Sequence, residues 1–214
     1  LVKRGSKVNF YEYGRAGSQT TIALENFISN LENAHRTFLT STGFGAIALA
    51  IISICRPKDE IIVTDAVYAP TRMITSKLLK EFNVKTHFYN PESLESLQSK
   101  INKKTKMIFV ENPGSNTFEF QDLSKIIKIA KKRKIITAID NTWGTPFFIK
   151  PLKIGFDMSI SSGTKYLSGH SDVMLGSLAV NKKVFEKVKF CNKLLGYRAS
   201  PDDAYLVLRG LRTL

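Results

Sequence analysis

Four short apolar runs punctuate the middle of the chain: Ile61 to Asp65, Val84 to Tyr89, Met107 to Glu111 and Ile135 to Asp140. None alternates strictly between apolar and polar side chains. That is the pattern of strands buried on both faces of a parallel sheet. Parallel neighbours need a crossover between them, and the intervening segments have helical periodicity. Leu123, Ile126, Ile127 and Ala130 stand at i, i+3, i+4 and i+7 with lysines between them, so one stripe is apolar and the rest faces water. Residues 70–82 and 92–101 carry similar patterns, and Gly176 to Val180 is a fifth, weaker strand. This rhythm predicts an α/β fold, a mostly parallel sheet with helices on both faces.

At 214 residues and 43% hydrophobic content, the chain can bury one substantial core. No run approaches the roughly 18 apolar residues that would span a membrane, so no membrane partner is expected. Residues 1–20 are polar and Gly-rich, with Tyr11, Tyr13 and Arg15 among turn formers, and read as an extended arm. The α/β domain is expected over 21–200. A helix opens at Pro201 and is still in mid-pattern at Leu214. Because the first residue is Leu1 rather than Met, a longer protein is expected to have lost its front. Cys55 and Cys191 stand alone, so neither a disulfide framework nor a metal motif is read, and the expected compartment is cytoplasmic.

The net charge is +14, which attracts polyanions and anionic substrates alike. Its densest clusters are Lys100, Lys103, Lys104 and Lys106, then Lys131, Lys132, Arg133 and Lys134. Both lie where a helical pattern runs toward a strand, and basic side chains favour the helix C-terminus. With no zinc-finger spacing and no basic stripe interleaved with aromatics, they read as solvated surface, and no nucleic-acid partner is expected.

In open α/β sheets, ligands collect beyond the carboxyl ends of the strands. Four features fall there. Thr40 to Ala46 is a small-residue turn opening a helix that runs to about Ile54; it is either an ordinary turn or a phosphate cradle of free N–H groups. Asp65 and Tyr68 follow the first strand, as a helix cap with an aromatic anchor or as a platform for a planar ligand. Asp140 ends an apolar strand and needs a partner, which a turn, a cap or a protonated heterocyclic nitrogen would supply. Ser161 to Tyr166 sets Lys165 among hydroxyls, with Gly169 to Asp172 following. Lys165 is either one more surface lysine or a Schiff-base nucleophile, if desolvation lowers its pKa. His170 reads as a loop-packing histidine. The combination of cradle, platform, carboxylate and lysine is the set that pyridoxal phosphate requires.

In this order the motifs resemble the cystathionine-type, pyridoxal-phosphate-dependent enzymes of cysteine and methionine metabolism. The resemblance is carried by Tyr13-Gly14-Arg15, Thr42 to Ala46, Tyr68, Asp140 to Trp143, Ser162 to Tyr166, Gly169 to Asp172 and Arg209 to Leu214. Glu111 to Ser115 and Trp143 are similar to the bacterial cystathionine β-lyase branch; γ-synthases and γ-lyases more often carry Phe after Asp-Asn-Thr. The resemblance implies the large-domain fold of type I aminotransferases. It also implies that Lys165 holds the cofactor covalently and that Asp140 keeps the pyridine nitrogen protonated. Tyr68 would stack on the ring and help admit the substrate amine. Gly43 and Phe44 would bind phosphate through their N–H groups, aided by the hydroxyls of Ser162 and Thr164. Tyr13 and Arg15 would reach the phosphate of a neighbouring subunit, which makes a homo-oligomer the expected assembly.

The implied reaction is β-elimination of an amino-acid thioether, cystathionine, in methionine biosynthesis. Family members are longer at both ends, so residues 201–214 are expected to start a connecting helix whose C-terminal domain is absent. Beside the lyase stand a non-catalytic cofactor-binding remnant, a γ-type enzyme and a basic binding module that keeps the fold alone.

Overall fold

The computed structural model describes residues 14–214; the expectation for Tyr13 lies outside them. A short 3-10 turn, Gly14–Ala16, leads to α1 (Gln19–Glu32). Ser18 caps that helix, accepting the Thr21 amide while Thr21 Oγ1 accepts the Ser18 amide, a capping box. The helix therefore takes in Gln19 and Thr20, two residues of the expected arm.

Seven strands form one sheet: β1 (Arg36–Thr40), β2 (Glu60–Thr64), β3 (Lys85–Tyr89), β4 (Thr105–Glu111), β5 (Ile136–Asp140), β6 (Met158–Ser162) and β7 (Gly176–Val180), in the order β1-β7-β6-β5-β4-β2-β3. Pairing is parallel from β3 through β6, and only β7 runs against both its neighbours. The mostly parallel sheet is as the sequence predicts. Six strands thus share one C-terminal edge.

Between the strands run α2 (Gly43–Ile54), α3 (Ala69–Met73), a π-helical stretch (Ile74–Leu78), α4 (Leu79–Glu81), α5 (Leu94–Lys100), α6 (Leu123–Arg133), α7 (Thr145–Phe148), α8 (Pro151–Ile154), α9 (Phe185–Leu195) and α10 (Pro201–Gly210). Strand parity sorts the core. On one face Ile61, Val63, Met107, Phe109, Met158 and Ile160 meet α2 and α9. On the other, Ile62, Ile108, Val110 and Ile139 meet α5 and α6, while Leu39 packs with α1 and α10. Helix α2 is apolar all round and buried from Gly45 to Ile51, as a helix enclosed on every side must be. The basic clusters sit in the last turns of α5 and α6, in the loop after α5 and, with Lys106, on the exposed side of β4. Among the described residues no helix is long and apolar enough to cross a membrane.

Candidate active site

The buried helix α2 begins at the C-terminal edge of the sheet. Thr42 caps it, accepting the Gly45 amide at 3.0 Å, and Ala46 donates to the Thr42 carbonyl. Among the described residues the Gly43 and Phe44 amides have no hydrogen-bond partner, and they begin a helix whose N-terminal dipole favours an anion. Gly43 is required by its neighbour: a Cβ there would lie 2.7 Å from both Cβ and Oγ of Ser162. That close approach sets the helix start against the end of β6.

Parity places the acids. Phe109 and Ala138 belong to the α2 face; two residues on, Glu111 and Asp140 keep that face and stand in register across β4 and β5. Ser162 keeps it too, two residues after Ile160. Thr142 joins them, its amide donating to Asp140 Oδ1 at 3.0 Å and its Oγ1 accepting the Ser162 amide at 2.8 Å. At the other end, the Tyr68 amide donates to Glu111 Oε2 at 2.7 Å. Tyr68, Glu111, Asp140, Thr142, Ser162 and Gly43 are therefore linked in one unbroken series along the strand ends.

Electrostatics sharpens the picture. Burial pushes the Asp140 carboxyl above the ordinary range, and the Thr142 contacts only partly oppose it. Burial and the charge of Asp140 push Glu111 up as well, against the pull of the Tyr68 amide and Ser115. Among the described residues no cationic side chain contributes to either shift. A buried carboxylate without a protein cation is a place for a cationic ring nitrogen. The unpartnered N–H groups at α2 fit a phosphate, so the crevice suits pyridoxal phosphate at both ends of that molecule.

Lys165 follows β6 in a turn and is exposed, and its ammonium makes no ion pair or hydrogen bond among the described residues. Thr164 is engaged elsewhere: its hydroxyl accepts the Leu175 amide at 3.0 Å, and its own amide donates to the Leu175 carbonyl. Tyr68 and Phe44 are 45% and 40% exposed, open to a ligand. Arg15 is not brought to this series. It lines a separate cavity of about 410 Å³ with Ser18, Arg198 and Ser200, and Arg198 Nε donates to its carbonyl at 2.5 Å.

Asp65 caps no helix; it pairs with Arg72 at 2.5 Å, and α3 starts from Tyr68 without a side-chain cap. His170 Nδ1 lies 2.5 Å from the Ser168 carbonyl, a loop contact as expected. Sequence reasoning assigned Glu111 and Thr142 no part in the site. Glu111 carried the signal that singled out Asp140, a carboxylate closing an apolar strand.

Known proteins share this fold. The family described as Cys/Met metabolism PLP-dependent enzyme matches residues 2–214. A Bordetella avium cystathionine beta-lyase is 36% identical over 94% of this chain and 51% of its own length. A Bacillus subtilis cystathionine gamma-lyase is 34% identical over 95% and 54%. The crystal structure of cystathionine gamma-lyase from Lactobacillus plantarum complexed with L-serine superposes with a TM-score of 0.94 at 30% identity, covering all of this chain and 56% of that one. The chain thus spans about half the length of the curated relatives it matches. With the family matched over residues 2–214, the chain belongs to the Cys/Met metabolism PLP-dependent enzymes, whose cofactor is pyridoxal 5'-phosphate.

Proposed function

We propose that this chain is the cofactor-binding part of a carbon–sulfur lyase that cleaves cystathionine by β-elimination. The observation that carries the reading is the series from Tyr68 to Gly43 along one sheet edge, with Lys165 following β6. Pyridoxal 5'-phosphate, when bound, supplies a protonated ring that withdraws electrons from the substrate Cα. The Gly43 and Phe44 amides hold its phosphate, with Ser162 beside them. Asp140 would pair with the ring nitrogen, and Tyr68 would offer its aromatic face to the ring. Lys165 would anchor the cofactor covalently, and its amine would serve as the base for the Cα proton of the substrate.

The net reaction adds water to cystathionine and yields homocysteine, pyruvate and ammonia. The assembly is a homo-oligomer in which Tyr13 and Arg15 serve a neighbouring subunit's phosphate. The placement of Arg15 apart from its own chain's crevice supports that role. The Bacillus subtilis relative's name favours a second reading, γ-cleavage, which would yield cysteine and 2-oxobutyrate instead. The keto acid released from cystathionine decides between them. Pyruvate lost in Lys165→Ala supports β-elimination, and 2-oxobutyrate overturns it.

A further inference from the structure

Helix α3 opens at Tyr68 without a side-chain cap and with Pro70 in its first turn. An uncapped start needs an acceptor from elsewhere, and Glu111 Oε2 meets the Tyr68 amide at 2.7 Å. The same two loops are clamped twice more. The Ser115 amide donates to the Ala66 carbonyl at 2.8 Å, and a Cβ on Gly114 would lie 2.7 Å from Ala66 Cβ. Glu111 is also the residue in register with Asp140. One carboxyl group therefore holds the backbone of the aromatic platform and borders the group assigned to the ring nitrogen.

We propose that Glu111 is a positioning residue that ties the Tyr68 platform to Asp140 as one rigid unit, an inference that rests on the crevice being a pyridoxal phosphate site. The charge distribution suits the task. Burial and the Asp140 charge oppose ionisation of Glu111, as burial opposes that of Asp140. A neutral carboxyl group still accepts the Tyr68 amide and has an O–H to donate. Glutamine has the same shape, one acceptor oxygen and an N–H donor, so Glu111→Gln preserves the tie, whereas Glu111→Ala breaks it.

The test compares both variants with the unaltered 214-residue chain, first without cofactor. Amide hydrogen exchange at Tyr68 is read against central β4 amides, which report overall stability. Protection at Tyr68 is expected to persist in Glu111→Gln and to fall about tenfold in Glu111→Ala, the scale of one lost hydrogen bond. Equal protection in all three chains overturns the inference. With pyridoxal phosphate added, Glu111→Ala is expected to bind about tenfold more weakly and Glu111→Gln like the unaltered chain; equal affinities overturn the positioning role. If the unaltered chain binds no cofactor, the reading of the crevice fails, and the exchange comparison still decides whether Glu111 holds Tyr68.

Discussion

Asp140 and Glu111 stand side by side at the ends of neighbouring strands, and their coupling is measurable. Replacing Asp140 by Asn removes the charge that opposes ionisation of Glu111. The Glu111 carboxyl resonance is then expected to titrate at lower pH than in the unaltered chain, and an unchanged titration would contradict the coupling. Gly43→Ala tests the other end of the crevice, because its Cβ would lie 2.7 Å from Ser162. The crowding is expected to cost about 1–3 kcal/mol in urea unfolding. At this scale the sequence was informative about residue types. Asp140 stood out because a carboxylate ending an apolar strand demands a partner. Glu111 met the same condition, but its partner, the Tyr68 amide, lies 43 positions away and only the fold brings it near. Thr164 carries a hydroxyl where the resemblance expected one, yet the β7 entrance uses it.

Elements were legible where apolar and aromatic residues clustered in a short run or along one helical stripe. The strands at β2, β3, β4 and β5 and the helix α6 announce themselves by run and period. Strand β6, Met-Ser-Ile-Ser-Ser, did not, since serines interrupt its apolar run and the Ser159 hydroxyl finds its partner across the fold. Ser159 donates to Glu32 on α1 at 2.9 Å, a pairing 127 positions apart. Helix α1 escaped notice for a related reason: it carries Glu25 and Glu32, both buried, on its inward face.

Glu32 makes that contact titratable. Burial pushes its carboxyl up to about 7, against the opposing pull of Ser159 and Lys150, and among the described residues its Oε2 has no hydrogen-bond partner. Its folded value lies above the ordinary 4.5. The associated stability is therefore fully present below 4.5 and is lost as pH rises from there through about 7. The loss is on the order of 3 kcal/mol. Glu32→Gln is expected to flatten the pH dependence of unfolding across this window. A slope equal to that of the unaltered chain would contradict the assignment.

For the whole molecule, the parallel sheet sets the C-terminal edges of six strands together, and every crevice residue assigned to the cofactor follows from that edge. Strand direction and residue parity explain why residues as distant as Gly43, Glu111, Asp140 and Ser162 meet. The alternation of strands and helices made this edge readable in outline, while the order of the strands was not readable, because β1 enters the sheet beside β7. A ligand that binds only the folded chain must stabilise it. Pyridoxal phosphate at a hundredfold excess over its dissociation constant is expected to add about 2.7 kcal/mol. That corresponds to a rise in Tm of roughly 5–10 °C for a chain of this size.

The most direct test of the central claim is borohydride reduction of the chain mixed with pyridoxal phosphate, followed by peptide mapping. A single reduced adduct on Lys165, absent from Lys165→Ala, is the predicted result. An adduct scattered over the surface lysines, or none on a folded chain, would contradict the claim that this crevice assembles around the cofactor.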